Sequence, residues 1–154
     1  MAFGRLGVGQ TLLRSGQVTE GVASKVPLLA RGPLATNPLF RHQLGAADAN
    51  LRPARALLYA DTAAAWAMAE AGGEFTSDHR ARLGAAATWV ATTAASVVDA
   101  AYGAGGGSSV YSSNPLQRRF RDVHALTQHF LVKPDTLTTA GAVLAGAEVD
   151  LTVF

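Results

Sequence analysis

The chain contains no cysteine, so it can form neither a disulfide framework nor a thiolate metal site. It also lacks a long apolar run, because no uninterrupted stretch approaches the roughly 18 residues that a membrane span requires. The residues that follow Met1 do not show the pattern of a signal peptide. These absences predict a cytoplasmic protein that does not associate with a membrane.

Charged and aromatic side chains are sparse as well, at 16% and 7% of the chain. The thirteen lysines and arginines are scattered, and few aromatic residues lie between them, which is a poor footprint for nucleic-acid binding. We therefore expect no nucleic-acid partner. Hydrophobic residues make up 49% of the sequence, which is too many for a disordered chain and enough for one packed core.

The length and the helical pattern indicate one domain, residues 1–154. Alanine, the best helix former, supplies about a fifth of the chain. No segment of useful length shows the period-two alternation of a β-strand. Together with the short connections, this predicts an all-α fold, an antiparallel up-down bundle of four to five helices.

Start and stop signals place the helices. Residues 2–24 predict a first helix weakened by several glycines, and the prolines within 25–38 predict a loop. A long second helix should begin after Asn37 and run to about residue 71, with a kink or break near residue 50 caused by Pro53. A third, nearly uncharged helix should run from about 78 to 103, capped by one of three residues: Thr76, Ser77 or Asp78.

The segment 114–133 is the most informative stretch, and we predict that it forms the fourth helix. Asn114 can cap it and Pro115 suits its first position. At about 100° per residue, one arc of this helix is apolar: Leu116, Phe120, Val123, Leu126, Phe130 and Leu131. The opposite arc carries a stripe of a cation, a carboxylate and an imidazole, with an alanine between them: Arg118, Asp122, Ala125 and His129. Pro134 should break the helix, and residues 135–144 should form a short fifth one.

A glycine-rich segment, residues 103–109, precedes the fourth helix. Its glycines allow a ligand to approach the backbone, and their N–H groups can point at an anion. The same segment also has a purely structural interpretation, as the C-cap and turn of the preceding helix. The polar stripe likewise has two interpretations, a solvated face or a chemical site.

Metal binding and nucleophilic catalysis are not indicated. His124 and His129 lie five residues apart, roughly 140° around a regular helix, so they cannot bind one metal together. Ser108 and Ser109 lack the context of a nucleophile elbow. The glycine segment lacks the Gly-Lys-Ser or Gly-Lys-Thr ending of a nucleoside-triphosphate loop.

Residues 101–130 read AYGAGGGSSVYSSNPLQRRFRDVHALTQHF, and residues 133–146 read KPDTLTTAGAVLAG. The Gly-Gly-Ser-Ser turn, the Ser-Asn-Pro-Leu-Gln-Arg helix start, the Phe-Arg-Asp-Val-His core and the Gln-His pair resemble the C-terminal domain of two-component flavin-dependent monooxygenases of the acyl-CoA dehydrogenase fold. The resemblance extends to oxygenases that act on hydroxyphenylacetate, phenolic steroid intermediates and dibenzothiophene. It implies a helical bundle that forms the centre of a homotetramer.

The resemblance also implies a reaction. In similar oxygenases a separate reductase supplies reduced flavin, FMN or FAD, which forms a C4a-hydroperoxyflavin that oxygenates an aromatic substrate. His129 would lie beside the flavin, where it could hydrogen-bond the peroxide or act as an acid or base on the substrate. Four residues would lie along the flavin: Gly106, Gly107, Ser108 and Ser109. Arg121 or Asp122 would position His129 or neighbouring loops at the cofactor site. The imidazole of His129 is expected to face the glycine and serine bend.

The departure from the family is that the N-terminal helical and middle β domains have no counterpart in these residues. We therefore expect a homo-oligomer that holds part of the flavin site. Three explanations are open: a split subunit that pairs with a complementary N-terminal chain, a degenerate helical scaffold, or a shortened gene product. Two alternatives stay open: a non-catalytic helical scaffold or interaction bundle, and a fragment of an acyl-CoA dehydrogenase-type oxidoreductase. The Ser-Asn-Pro-Leu-Gln-Arg start favours the monooxygenase side over the dehydrogenases.

Overall fold

The computed structural model describes residues 22–28 and 31–150 of the chain. Nearly all of the first expected helix, 2–24, therefore lies outside the described residues. The described part forms four α-helices and no strand. The helices are α1 (Pro38–Glu70), α2 (Ser77–Gly105), α3 (Pro115–Thr127) and α4 (Asp135–Leu144). Three short 3-10 turns lie between or before them: Leu34–Thr36, Gly106–Val110 and Phe130–Val132. The all-α prediction is confirmed.

The helix starts follow the capping signals in the sequence. The side chain of Asn37 accepts hydrogen bonds from the amides of Leu39 and Phe40 at the start of α1. At the start of α2, Thr76 and His79 form a reciprocal capping box, in which each side chain bonds the other's backbone amide. These local bonds satisfy amide groups that have no partner inside the helix.

The predicted interruption of the long helix is partly wrong. α1 continues through Pro53 over its full 33 residues, so there is no break near residue 50. A proline inside a helix removes one hydrogen bond and crowds the preceding turn, but neighbouring packing can offset that cost. Here Ala54, directly after Pro53, is 0% exposed and lies in the core against α2.

The core is built from small side chains around α2. Its buried members on α2 are valines and alanines, and Ala54 from α1 and Val123 from α3 complete the cluster. Small residues let helix axes approach closely, so an alanine-rich helix is suited to the centre of a bundle. α2 also reaches the surface of the described bundle, because Trp89 is 40% exposed and Asp99 faces solvent.

α3 runs antiparallel to α2, as the contacts between the two helices show. The side chain of Leu116, at the start of α3, lies 3.2 Å from where a Cβ on Gly105 would be, at the end of α2. Phe120 stacks on Tyr102, and His124 bonds Asp99. Residue numbers rise along α3 while those of their partners fall along α2, which confirms the up-down arrangement for this pair.

The fourth helix is shorter than predicted, because α3 ends at Thr127 rather than near residue 133. Gln128 closes the last turn, and His129 then adopts an extended conformation with φ −70° and ψ 135°. A separate 3-10 turn, Phe130–Val132, follows. His129 is thus outside the helix, and Phe130 is 53% exposed instead of packing on the apolar arc.

Candidate functional site

The glycine segment is an ordered turn at the end of α2. α2 continues through Gly105, and Gly106 caps it with φ 56° and ψ −145°, a left-handed backbone conformation that favours glycine. Its amide donates to the carbonyl of Gly103. The structural interpretation of this segment, a C-cap and turn, is therefore confirmed.

The two serines of the turn hold it together from within. The hydroxyl of Ser109, which is 0% exposed, donates to the carbonyl of Tyr102 at 2.9 Å. The hydroxyl of Ser108 is half-buried and donates to the carbonyl of Gly105 at 2.8 Å. Ser109 has no exposed surface of its own in this conformation. Its hydroxyl satisfies a helix-end carbonyl.

A lysine from the start of the described chain reaches this turn. The Nζ of Lys25 donates to the carbonyl of Gly105 and to the hydroxyl of Ser108, the latter at 3.0 Å. A cation at the C-terminus of a helix interacts favourably with the free carbonyls and the helix dipole. Sequence reasoning missed Lys25, because 80 residues separate it from Gly105 and no local pattern connects the two.

The turn is also joined to the start of α3. The Asn114 side chain accepts from the amide of Leu116 at 3.0 Å, as a helix cap does, and its Nδ2 donates to the carbonyl of Ser108 at 2.9 Å. Gly106 and Gly107 stay exposed, and no atom lies within 4 Å of where a Cβ on Gly107 would be. A ligand can therefore reach the backbone of the turn at these two glycines.

The predicted polar face of α3 is solvent-exposed. Arg118 Nε lies 3.5 Å from a carboxylate oxygen of Asp122, and these side chains are 81% and 53% exposed. Arg121 is exposed as well. Asp122 is thus paired with Arg118 and not with His129, which the end of the helix has carried out of the stripe. At such exposure an ion pair between neighbouring turns contributes little to stability.

His129 lies at the surface after the end of α3. Its Nδ1 accepts a hydrogen bond from the amide of Leu131 at 3.3 Å. Its ring stacks on that of Phe130, with the centroids 4.8 Å apart. The imidazole is therefore held by its own local turn, and neither Arg121 nor Asp122 orients it.

The glycine turn and His129 do not meet within one chain. The turn adjoins the first residue of α3, and His129 follows its last turn. Thirteen residues of α-helix lie between them, a span of about 20 Å at 1.5 Å per residue. The expectation that the imidazole faces the glycine and serine bend is wrong for the single chain.

A second histidine joins α3 to α2. His124 Nε2 lies 2.7 Å from a carboxylate oxygen of Asp99, and the two side chains are 40% and 48% exposed. The ring of His124 also lies 4.5 Å from that of Phe120, which in turn stacks on Tyr102. The i,i+4 spacing predicts the contact between Phe120 and His124, but Asp99 comes from another helix and no sequence pattern points to it.

Two expected absences can be compared with the described residues. Within 22–28 and 31–150, no group of three or more His, Cys, Asp or Glu side chains is placed to hold a metal ion. No described helix is long and apolar enough to cross a membrane.

Comparison with known proteins identifies the domain. Residues 4–134 match the family described as acyl-CoA dehydrogenase, C-terminal domain. The chain belongs to this family. The match covers most of the sequence and includes the glycine turn, α3 and His129, so the fold predicted from the resemblance is confirmed.

Curated relatives are monooxygenases and hydroxylases. The chain is 32% identical over 130 residues to an indole-3-acetate monooxygenase of Pseudomonas putida, covering 84% of this chain and 33% of that protein. It is 32% identical over 106 residues to a pigment production hydroxylase of Rhodococcus erythropolis, covering 69% of this chain and 27% of that protein. The chain thus spans about a third of the length of these relatives.

Solved structures confirm the fold of this acyl-CoA dehydrogenase C-terminal-like domain. The 3-HSA hydroxylase from Rhodococcus sp. RHA1 superposes with a TM-score of 0.80 at 22% identity, over 96% of this chain and 38% of that one. The HsaA monooxygenase from M. tuberculosis gives a TM-score of 0.73 at 18% identity, over 94% and 37% of the two chains. The resemblance to monooxygenases of this fold is confirmed.

Proposed function

We propose that this domain is the C-terminal helical, oligomer-forming part of a reduced-flavin-dependent monooxygenase that acts on an aromatic substrate. The observation that carries the proposal is the 32% identity to an indole-3-acetate monooxygenase over 84% of this chain. Because the chain spans only 33% of that relative, the domain supplies part of a flavin site, and the regions of such an oxygenase that lie outside these residues supply the rest. A separate flavin reductase delivers the reduced cofactor, in the cytoplasm.

The residues around the glycine turn fit such a cofactor in part. Gly106 and Gly107 offer an open backbone edge to which a flat ring can lie close. Ser108, which is half-buried, borders that edge, and the buried hydroxyl of Ser109 holds the turn by donating to the carbonyl of Tyr102. Bound reduced flavin supplies the electrons and the oxygen activation, and the turn positions it.

His129 contributes the hydrogen-bonding imidazole of the site. It is exposed and is oriented by the Leu131 amide, so a ligand can reach its other nitrogen. Arg121 and Asp122 are also exposed and lie about two helical turns before it, where they add charge near a ligand bound at His129. Asp122 does not contact His129, since its carboxylate is paired with Arg118.

Assembly of several copies can unite the two ends of α3. Within one chain the turn and His129 are separated by about 20 Å, too far for one isoalloxazine ring to touch both. We propose that a homo-oligomer, tetramer-like as the resemblance implies, brings the His129 end of one copy near the glycine turn of another. Large apolar side chains on the surface, Trp66 at 68% exposed among them, suit contact with further protein.

A non-catalytic scaffold is the second candidate. One observation favours it: both serines of the turn are hydrogen-bonded to helix-end carbonyls, so their hydroxyls already have a structural role. This candidate predicts a stable helical oligomer that is indifferent to flavin. A dehydrogenase fragment has less support, because the relatives above are monooxygenases and hydroxylases.

Flavin binding separates these candidates. The chain is titrated anaerobically with reduced FMN and reduced FAD, alone and with the polypeptide that completes the family architecture. The oxygenase proposal expects saturable binding in the completed assembly, and lower product yield with more released peroxide in His129→Ala. His42→Ala, at another exposed histidine, is the control and should behave as the unchanged chain. An absence of binding in the completed assembly contradicts the proposal and supports the scaffold.

A further inference from the structure

The imidazole of His129 makes a hydrogen bond that fixes where its proton lies. Nδ1 is 3.3 Å from the amide nitrogen of Leu131. A backbone amide can only donate, so Nδ1 must be the acceptor and cannot carry a hydrogen. In a neutral imidazole one nitrogen is protonated and the other is not. The hydrogen of His129 is therefore on Nε2.

We infer that His129 is held as the Nε2–H tautomer and presents a hydrogen-bond donor to its ligand. The tautomer follows from the Leu131 contact alone, whereas the identity of the ligand rests on the proposed function. The ligand atom opposite Nε2 is an acceptor, such as a carbonyl, phenolate or other oxygen with a free lone pair.

The local backbone explains why the Leu131 bond persists. His129 has extended φ and ψ angles and lies just before the 3-10 turn Phe130–Val132, in the N-cap position. The first amides of such a turn have no acceptor within it, so an N-cap side chain is their natural partner. Stacking on Phe130, at 29° between ring planes, also restricts rotation of the imidazole. A flipped ring would leave the Leu131 amide without this partner.

The tautomer decides between two roles for the residue. As a base, His129 would accept a proton through an unprotonated nitrogen, but its unprotonated nitrogen is Nδ1, which faces Leu131. As a donor, it uses Nε2, for which the described residues provide no hydrogen-bond partner. The neutral ring is therefore arranged to donate to a ligand rather than to deprotonate it.

Other histidines in the chain provide internal references. His79 Nδ1 also accepts from a backbone amide, that of Thr76, at 3.3 Å, so it should show the same tautomer. His42 is exposed, and the structure gives its ring no hydrogen bond among the described residues. It should therefore sample both tautomers as a free imidazole does.

NMR on the full chain with ¹⁵N-labelled histidine reads the tautomer directly, without flavin. At a pH where the rings are neutral, we expect ring ¹⁵N shifts and long-range ¹H–¹⁵N couplings of the Nε2–H form for His129 and His79. Loss of one signal set in His129→Gln assigns it. A His129 pattern of the Nδ1–H form, or averaging like that of His42, overturns the inference.

Two substitutions test whether the donor is used. His129→Asn keeps the cap on the Leu131 amide but lacks a donor at the Nε2 position, whereas the side chain of His129→Gln reaches that position with its amide N–H. With reduced FMN or FAD in the completed assembly, His129→Asn should weaken binding by roughly 2- to 10-fold, the value of one hydrogen bond. His129→Gln should restore most of it. Equal affinity of the two variants contradicts the donor role. Absence of flavin binding in all forms contradicts the proposed function, and the tautomer is then decided by the NMR measurement alone.

Discussion

The two ends of α3 have the same helix between them and very different surroundings. At the start, the glycine turn is closed by a buried serine, the Asn114 side chain and the ammonium of Lys25. At the end, His129 is exposed and is oriented by one hydrogen bond to Leu131. The glycine and serine part of the motif is therefore mainly structural, whereas the histidine part leaves an imidazole at the surface.

The largest effect is expected from a methyl group added inside the turn. A Cβ on Gly105 would collide with the Ser109 hydroxyl and lie 3.2 Å from Leu116. Gly105→Ala should therefore lower the free energy of unfolding by about 1–3 kcal/mol, the usual cost of overpacking. Chemical denaturation at fixed protein concentration measures it.

Gly103→Ala is the matched control for this substitution. Gly103 lies one half-turn earlier in α2, and nothing is within 4 Å of where its Cβ would be. It should be neutral or stabilising by up to about 1 kcal/mol, because alanine is the better helix former. Equal stability of the two variants would show that the turn is looser than its contacts indicate.

The caps of α3 and α1 form a second matched pair. Asn114 and Asn37 both cap a helix that begins with proline, but only the Asn114 side chain also bonds the turn, at the carbonyl of Ser108. Asn114→Ala should cost about 1–2 kcal/mol and Asn37→Ala about 0.5–1 kcal/mol. The reverse order in thermal or denaturant unfolding would contradict the tight coupling of turn and helix.

A buried pair of threonines stabilises the segment that follows His129, between α3 and α4. Thr88 on α2 hydrogen-bonds Thr136 at the start of α4, and the Thr136 hydroxyl donates to the carbonyl of Lys133 at 2.8 Å. Thr88→Val keeps the shape and removes one hydroxyl, which should cost about 1 kcal/mol. Thr92→Val, at an exposed hydroxyl bonded only within α2, should change stability by less than about 0.5 kcal/mol.

If Thr88→Val destabilised the fold as much as Gly105→Ala, the contrast between the ends of α3 would be lost. Hydrogen exchange of the Leu131 amide adds a local readout. It should exchange faster in Thr88→Val, because the segment between α3 and α4 then loses the hydrogen bonds that the Thr88 hydroxyl makes to Thr136 and to the carbonyl of Lys133.

The sequence predicted the parts of this structure that depend on local rules. The bounds of α2 and α4 and the caps at Asn37, Thr76 and Asn114 follow from residue type and spacing. The resemblance then named the family correctly. It could not show that α3 stops at Thr127, since the apolar spacing of Phe130 and Leu131 continues the helical pattern while the backbone at His129 leaves it.

The site was predicted less completely, for a physical reason. Long-range partners, such as Lys25 with Ser108 and Asp99 with His124, depend on how helices pack and leave no trace in local spacing. A helical wheel also shows only the angle of each residue around the helix axis, and not its position along that axis. It places His129 near Arg118 and Asp122 in projection, and it hides the length of α3 that separates His129 from the glycine turn.

The smallest expected effect concerns the pair midway along α3. His124 and Asp99 are 2.7 Å apart across two helices, but they are 40% and 48% exposed, so solvent screens their interaction. A double-mutant cycle with His124→Gln and Asp99→Asn should give a coupling of about 0.3–1 kcal/mol that decreases with added salt. The same cycle on Arg118 and Asp122, which are more exposed and lie on one helix, should give about half of that or less. A larger coupling for the second pair would mean that the exposed face of α3, rather than its contact with α2, carries the electrostatic support between the two ends.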